Sequence, residues 1–372
     1  MNIGIVCYPT YGGSGVVATE LGKHLARRGH MVHFISHDPP FRLDLFQENV
    51  FFHEVAVLSY PLFKYPPYFL ALANKMVEVA RYAGLDLIHV HYAIPHAPCA
   101  YLAREVMGGK GPRVITTLHG TDITLVGSDP SFHEVVAFSL NRSDGVTAVS
   151  HKLRETTGEL FCISREIKTI YNFIDPTEYR RRENPALRAR FASPSEKVII
   201  HISNFRPLKR VDNVVRIFHL VRQEIPSVLL MVGDGPEWHH AYRVAHELGV
   251  EGKVLFLGQQ ERVVELLSVS DLMLLPSLQE SFGLVALEAM ACEVPVIASL
   301  TGGLPEVVAD GETGYLLPPD RLKEMAEKAV AVLSDPSLYS RLAAAGRQRA
   351  VELFHHEKIV PEYEEYYREV LA

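Results

Sequence analysis

The chain opens with Met1-Asn2-Ile3-Gly4-Ile5-Val6-Cys7-Tyr8-Pro9-Thr10-Tyr11-Gly12-Gly13-Ser14-Gly15-Val16-Val17-Ala18, an apolar run followed by a glycine-rich turn and an amphipathic segment. This order predicts a strand that passes through a tight turn into a helix. Free N–H groups at the start of a helix attract anions, so the turn is a candidate ligand site. Many doubly wound folds also need such a turn for close packing alone.

The same turn allows a second interpretation. Gly13, Gly15 and Ala18 match the pattern G-x-G-x-x-A, and Asp38 follows about 20 residues later, where an acid would bind a ribose. A nicotinamide-dependent oxidoreductase is therefore an alternative at this point.

Outward from this turn, strand-like apolar runs alternate with amphipathic stretches. Strands are predicted at 2–8, 31–36, 51–57, 86–91, 113–118 and 144–149, and helices near 15–28, 68–83, 93–107 and 131–142. The pattern then restarts, with strands at 196–202, 227–232, 253–257, 271–275, 294–298 and 314–317 and helices near 210–224, 236–248, 261–268 and 283–291. This alternation predicts an α/β protein with two doubly wound, Rossmann-like domains.

A polar, basic stretch between the two series places the linker at about 170–195. The tail from about 338 is helical in pattern and carries a stripe that includes Tyr363 and Tyr367. We expect an N-terminal domain at 1–172, a C-terminal domain at 173–350, and a C-terminal helix at 351–372 that packs back toward the first domain.

The bulk composition excludes several classes of protein. The 372 residues are 48% hydrophobic and 22% charged, as in folded proteins, and the net charge of −7 disfavours a nucleic-acid partner. Four widely separated cysteines show no metal spacing and indicate buried reduced thiols rather than a disulfide framework. No apolar run reaches the roughly 18 residues of a membrane span, and no signal peptide is visible. We expect a cytoplasmic protein without integral membrane contact.

Polar residues follow two predicted strands of the first half. His119, in Thr116-Thr117-Leu118-His119-Gly120-Thr121-Asp122, lies just beyond a strand, where parallel sheets build their sites. It could donate a hydrogen bond to a sugar hydroxyl or to a developing charge, or serve the loop alone. His89, His91 and His96 surround Tyr92 at another strand end without convincing metal geometry, and we expect structural packing for His89.

The second half carries cations and carboxylates at corresponding places. Arg206 and Lys209 follow its first strand and could neutralise one pyrophosphate. In Glu280-Ser281-Phe282-Gly283-Leu284-Val285-Ala286-Leu287-Glu288, the two carboxylates lie about 2.2 helical turns apart, roughly on one face. They could bind hydroxyls of a sugar and a ribose, and N–H groups near Gly283 and Leu284 would face a phosphate. An unpartnered Glu288 would be costly in this apolar stretch.

Together these residues resemble GT-B glycosyltransferase family 4. The spacing of Glu280 and Glu288 resembles its E-x7-E signature, Arg206 and Lys209 its basic pair, and Thr301-Gly302-Gly303-Leu304-Pro305-Glu306 its G-G-x-P-E loop. One departure is visible, because Glu293 stands where the family commonly has glycine. The resemblance implies two domains that face each other across a cleft.

The stretches His91-Tyr92-Ala93-Ile94-Pro95-His96-Ala97 and Tyr171-Asn172-Phe173-Ile174-Asp175 resemble a subgroup that acts in bacillithiol synthesis. That resemblance implies UDP-N-acetylglucosamine as the donor and L-malate as the acceptor. It also implies retention at the anomeric carbon, internal return, and no cofactor or required metal.

The resemblance also assigns roles. His119, Arg206, Lys209 and Glu280 would be catalytic. The donor would be bound by Gly15, Arg206, Lys209, Glu280, Phe282, Gly283, Leu284 and Glu288, and the acceptor by Ser14, Tyr92, Thr117 and Asn172. Another sugar nucleotide with a lipid or glycan acceptor remains an alternative, as do a UDP-sugar epimerase and a non-catalytic sensor. The exposed-looking segment 60–67 keeps the lipid alternative open, and homo-oligomerisation stays undecided.

Overall fold

The computed structural model describes residues 1–10, 12–58 and 60–372; Tyr11 of the glycine-rich turn and Ser59 lie outside the described residues. The chain divides into two compact units: unit 1 comprises Met1–Asn172 with His356–Ala372, and unit 2 comprises Phe173–His355. The boundary after 172 is also the predicted one, whereas the second boundary lies at 355/356 rather than 350/351. The final helix belongs to unit 1.

Unit 1 is a parallel sheet with helices between its strands. Its strands are β1 Asn2–Val6, β2 Met31–Ser36, β3 Val50–Glu54, β4 Leu87–His91, β5 Arg113–Leu118, β6 Gly145–Ala148 and β7 Ile167–Thr169, and its helices are α1 Gly13–Arg27, α2 Tyr68–Ala83, α3 His96–Val106, α4 Thr121–Thr124, α5 His133–Arg142, α6 His151–Leu160 and α15 His356–Leu371. The strand order is β3-β2-β1-β4-β5-β6-β7. Every residue of β4 is buried, as expected for a central parallel strand covered on both faces.

Unit 2 repeats the plan. Its strands are β8 Lys197–Ile202, β9 Ser227–Val232, β10 Val254–Gly258, β11 Leu272–Leu275, β12 Val296–Ser299 and β13 Gly314–Leu317, and its helices are α7 Pro185–Phe191, α8 Val211–Glu224, α9 Trp238–Glu247, α10 Val263–Ser268, α11 Leu284–Ala291, α12 Leu304–Val307, α13 Leu322–Ser334 and α14 Pro336–Phe354. The order β10-β9-β8-β11-β12-β13 is again fully parallel. Its core packs α8, α9 and α13 against the sheet.

In both units the strand order reverses beside the first strand. The reversal falls between β1 and β4 in unit 1 and between β8 and β11 in unit 2. Open parallel sheets bind ligands outside the carboxyl ends of the strands at such a point. The loops that follow these four strands therefore carry the candidate sites.

Several elements differ from the sequence-based prediction. Strand β7 has three residues, and helix α6 buries Leu153 and Thr157 alone, so neither gives a clear periodic pattern. Part of the predicted linker forms α7, which Asn184 caps by accepting from the Leu187 N–H. The cysteine prediction was wrong for Cys162, which is exposed, whereas Cys7, Cys99 and Cys292 are buried and, like Cys162, free.

Candidate functional site

The glycine-rich turn of unit 1 brings the start of α1 close to the end of β1. A Cβ on Gly15 would lie 2.6 Å from the Tyr8 carbonyl oxygen and 2.7 Å from that of Thr10, so glycine is needed there for close approach. Among the described residues, no side chain caps the start of α1. The predicted residues Ser14 and Gly15 thus lie in the first turn of a 15-residue helix whose N–H groups favour an anion.

Asp122 organises the loops after β4 and β5. It is fully buried and accepts hydrogen bonds from the N–H groups of Ala93 at 2.8 Å, Gly120 at 2.7 Å and His119 at 3.1 Å. Burial raises the pKa of this carboxyl to about 6, although the backbone N–H groups oppose the rise. Because one carboxylate joins both loops, it fixes Tyr92 and His119 relative to each other.

Tyr92 is held from several sides. Its backbone has φ +96°, an unusual value for a residue with a side chain, and its N–H donates to the Thr117 carbonyl at 2.9 Å. Its hydroxyl hydrogen-bonds that of Thr121, and its ring meets the Tyr8 ring edge-on at 5.5 Å. Strain retained beside a strand end is common at ligand sites, which supports the predicted role of Tyr92.

Histidines connect this loop to the interior of unit 1. His91 Nδ1 lies 3.0 Å from His119 Nε2, and His89 bonds Thr117 Oγ1 at 2.6 Å and the Tyr367 hydroxyl at 2.7 Å. Burial lowers the pKa of His89 to about 3, as it does for His119, each with a neighbouring histidine adding to the effect. These imidazoles are neutral at physiological pH. The structural role predicted for His89 agrees with these contacts.

The side chain of Thr117 does not lie where an acceptor could reach it. Its side chain is fully buried, and its hydroxyl is engaged by His89 and, at 2.6 Å, by Thr147. We therefore correct the acceptor-binding assignment of this side chain to an internal one. Asn172, the last residue of the first stretch of unit 1, keeps an acceptor role as a prediction, because its buried Oδ1 has no partner among the described residues.

In unit 2 the two residues of the predicted basic pair, Arg206 and Lys209, lie in different environments. Lys209, at the end of a 3₁₀ turn Pro207–Lys209, donates to Glu280 Oε1 at 2.5 Å, and Ser277 Oγ donates to the same oxygen at 3.0 Å. Arg206 is exposed and has no partner among the described residues. Arg206 is therefore available to an anion, whereas Lys209 would exchange part of its pairing with Glu280 for a ligand.

The loop 280–283 is clamped by the glycine pair Gly302-Gly303. A Cβ on Gly302, which has φ +55°, would lie 1.8 Å from the Glu280 carbonyl oxygen, and one on Gly303 would lie 2.3 Å from that of Ser281. Gly303 N–H donates to the Glu280 carbonyl at 2.8 Å. The G-G-x-P-E loop thus has a packing function, because it positions the backbone of Glu280.

The start of α11 follows directly. Gly283 has φ +94°, and a Cβ there would lie 2.5 Å from Leu304, which explains the glycine. Phe282 is buried and meets the Phe354 ring edge-on at 5.6 Å. Leu284 is the first residue of α11, whose N-cap Gly283 offers no side-chain acceptor. That the N–H groups at the start of α11 face a phosphate stays a prediction, whereas Phe282 contributes its ring to the core.

Glu288 lies inside α11 and is buried, with 5% of its surface exposed. It accepts a hydrogen bond from the Tyr179 hydroxyl at 2.8 Å. Arg347 of α14 in turn donates to the carbonyls of Pro176, Tyr179 and Ala291. Glu288 is therefore hydrogen-bonded by a residue outside the E-x7-E pattern, which sequence reasoning missed.

Asp122 and Tyr179 are the main functional candidates that the sequence did not single out. Asp122 lies in the first turn of α4, and an acid at such a position can accept hydrogen bonds from the N–H groups that precede the helix, as in a capping box. Tyr179 is 109 positions from Glu288, so no local pattern could have paired the two residues.

Comparison with known proteins identifies the family. The Glycosyltransferase Family 4 model matches residues 11–178, and the model Glycosyl transferases group 1 matches 184–349. N-acetyl-α-D-glucosaminyl L-malate synthase of Bacillus anthracis is 51% identical over 372 residues, which cover 100% of this chain and 97% of that protein. The chain belongs to glycosyltransferase family 4.

More distant similarity in sequence or in fold extends over part or all of the chain. D-inositol 3-phosphate glycosyltransferase of Rhodococcus opacus is 31% identical over 75% of this chain and 67% of its own length. A structure of Anabaena HepE in complex with UDP and glucose has a TM-score of 0.83 at 22% identity over 99% of both chains. Sucrose-phosphate synthase of Thermosynechococcus elongatus gives 0.81 at 23% identity, covering 100% of this chain and 99% of that chain.

The family resemblance, the GT-B fold class and the glycosyltransferase activity predicted from the sequence are confirmed. The nicotinamide-dependent oxidoreductase is not retained, because the family 4 match includes the glycine-rich turn that suggested it. The roles of individual site residues stay predictions. Within the described ranges, none of the helices combines the length and hydropathy needed to cross a bilayer.

Proposed function

We propose that this family 4 enzyme transfers N-acetylglucosamine from UDP-N-acetylglucosamine to the hydroxyl of L-malate, with retention, as the first step of bacillithiol synthesis in the cytoplasm. The observation that carries this proposal is the 51% identity to the Bacillus anthracis synthase, which extends over the whole chain. The similarity includes unit 1, which carries the residues that we assign to the acceptor, and this supports the same acceptor.

The chemistry follows from the donor. The bond between the anomeric carbon and the β-phosphate oxygen breaks, and the malate hydroxyl oxygen forms the new bond on the same face. The hydroxyl proton passes to the leaving phosphate oxygen. In our proposal Arg206, Lys209 and the start of α11 neutralise the charge that develops on UDP, which requires no metal. Glu288 binds the ribose, and Glu280, already paired with Lys209, binds the donor sugar.

The acceptor needs its own recognition. L-malate carries two carboxylates and one hydroxyl, and the start of α1, with Ser14 in its first turn, offers N–H groups to one carboxylate. We assign the hydroxyl side to Tyr92 and Asn172. Thr117 contributes through its backbone carbonyl, which positions Tyr92.

The test is release of UDP from UDP-N-acetylglucosamine with L-malate, with succinate or without an acceptor, with mass spectrometry of the product. Succinate keeps both carboxylates but lacks the hydroxyl, so we expect release and a glucosaminyl-malate mass with malate only. Equal release in all three arms would replace the proposal with hydrolysis or epimerisation. A parallel arm with a metal chelator should leave the rate unchanged.

One observation favours a second candidate, a lipid acceptor. The segment 60–67 exposes apolar side chains, with Leu62 82% and Tyr65 76% exposed. Such a surface suits contact with a bilayer. Malate-independent transfer to a lipid extract would support this candidate and contradict the first.

A further inference from the structure

Two imidazoles meet at the carboxyl ends of neighbouring strands in unit 1. His91 is the last residue of β4 and is fully buried, and His119 follows β5 and is partly exposed. His91 Nδ1 and His119 Nε2 are 3.0 Å apart, and the ring centroids lie 5.2 Å apart with planes inclined by 30°. The pair is a direct hydrogen bond between two rings.

Such a bond exists in two forms, because a neutral imidazole carries one N–H and one bare nitrogen. In the first form His91 Nδ1–H donates to His119 Nε2, and the proton of His119 is then on Nδ1. In the second form His119 Nε2–H donates to His91 Nδ1, and the proton of His91 is then on Nε2. The other nitrogen of His91 distinguishes the two forms.

His91 Nε2 is buried and has no partner among the described residues. In the second form it would be a buried N–H without an acceptor, which is unfavourable because the group has given up its hydrogen bond to water. In the first form it is a bare lone pair, and buried groups without partners are more often acceptors than N–H donors. The contacts therefore favour the first form.

His96 gives an internal precedent a few residues away. Its Nδ1 lies 2.6 Å from the His91 carbonyl oxygen, which can only accept, so His96 carries its proton on Nδ1. Its Nε2 is consequently bare, and it too is buried without a partner among the described residues. The same small region thus already contains one histidine with a bare buried Nε2. Burial lowers the pKa of His96 to about 4, which keeps this ring neutral.

We propose that His91 is a positioning residue that fixes the tautomer of His119, so that His119 presents Nδ1–H as a neutral hydrogen-bond donor to the bound sugar nucleotide. The identity of that ligand rests on the proposed function. With Nε2 occupied by His91 and Nδ1 protonated, His119 has no free lone pair and cannot act as a general base. The proton of the acceptor hydroxyl must then leave by another route, which is consistent with transfer to the departing phosphate oxygen.

The direct test is nitrogen NMR of the full-length protein with ¹⁵N-labelled histidine and without substrate, with His119→Gln used to assign the His119 signals. We expect a proton on Nδ1 of His119 and a bare Nε2. A proton on Nε2 of His119 in the wild type would overturn the proposal. This readout does not depend on which sugar or acceptor the enzyme uses.

Kinetics on two matched variants add a functional readout. His91→Asn places an amide N–H near the position of Nδ1, whereas His91→Leu keeps bulk without a donor. We expect His91→Asn to stay within about threefold of wild-type kcat/KM and His91→Leu to lose about tenfold, the effect of one hydrogen bond. The NMR spectrum of His91→Leu should show His119 in mixed tautomers.

Equal losses in both variants, with an unchanged His119 tautomer, would reduce His91 to a packing role. If the wild type released no UDP with malate while its His119 carried the proton on Nδ1, the proposed function would fail and the tautomer assignment would stand. If His91→Leu did not fold, the wild-type spectrum would still decide.

Discussion

The Tyr179 hydroxyl donates to Glu288 Oε1 across 2.8 Å, and both residues are almost completely buried. Removal of this hydroxyl leaves the carboxylate without one of its donors, so Glu288 should be less well oriented toward the ribose that we propose it binds. Tyr179→Phe should raise KM for the sugar nucleotide about tenfold with little change in kcat, as expected for a hydrogen bond to a charged group. Initial-rate kinetics measure this change.

Tyr242→Phe is the matched control, because Tyr242 is half exposed on α9 and loses a hydroxyl in the same way. Its KM should equal that of the wild type. A Tyr179→Phe enzyme with unchanged KM would remove Tyr179 from the site and cast doubt on the ribose role of Glu288.

Glu293 has φ +59°, a left-handed conformation just past α11 that favours glycine. Glu293→Gly should stabilise the protein by about 0.5–1 kcal/mol, because relief of the strain exceeds the added flexibility of the unfolded chain. Urea denaturation gives the midpoint. Glu327→Gly, at an exposed position in the interior of α13, should instead destabilise by about 1 kcal/mol. Loss of stability in both variants would show that φ at Glu293 carries no strain.

Gly302 and Gly311 allow the effect of a steric clash with an added Cβ to be separated from the effect of a positive φ. Both have positive φ, +55° and +74°, but a Cβ on Gly302 would lie 1.8 Å from the Glu280 carbonyl, and one on Gly311 would meet nothing within 4 Å. Gly302→Ala should therefore shift the Glu280 loop and lower kcat/KM more than tenfold. Gly311→Ala should cost about 1–2 kcal/mol of stability and no activity. Similar activity in the two variants would contradict the role of Gly302 in positioning the Glu280 loop.

Arg206 is exposed and unpaired among the described residues, so its removal should not affect the free energy of unfolding. We expect Arg206→Ala to lower kcat/KM about 100-fold, because one charge-assisted contact to the diphosphate is lost in the transition state. Steady-state kinetics and a thermal melt together test this. Arg243→Ala, also exposed and on α9, is the control. Full activity of Arg206→Ala would show that residues other than Arg206 bind the diphosphate.

The buried histidines predict acid sensitivity. Burial, with a contribution from His119, lowers the pKa of His89 from 6.5 to about 3, so the unfolded chain binds a proton there that the folded chain does not. The contribution of His89 to the free energy of unfolding is therefore fully present above pH 6.5. It falls as the pH decreases toward 3, by about 1.4 kcal/mol per pH unit.

His89→Gln should flatten the dependence of unfolding free energy on pH below 6.5. His246→Gln, with 72% of the histidine side chain exposed, should not. Denaturation curves at several pH values measure how the unfolding free energy changes with pH. The same slope for His89→Gln and the wild type would refute the assignment of acid sensitivity to His89.

The sequence predicted the two sheets well because parallel strands buried on both faces appear as short apolar runs between helices. Helix α2 was predicted with its observed bounds, Tyr68–Ala83. The sequence also predicted the strand ends that carry His119, Arg206 and Glu280. It could not predict the direction of Thr117, because neighbouring threonines on a strand face opposite sides and the covering element, α15, lies far away in the chain. Contacts such as Tyr179 with Glu288 depend on tertiary packing alone.

Helix α15 supplies Tyr363 and Tyr367, both fully buried, to unit 1. Glu364 of the same helix accepts from Arg28 and pairs with His30 at 2.8 Å each. During synthesis on the ribosome, residues 356–371 emerge only after all of unit 2, so unit 2 can complete its core before unit 1 does. Unit 1 thus begins first on the ribosome but can be completed last, because the Tyr367 hydroxyl that bonds His89 emerges only with α15.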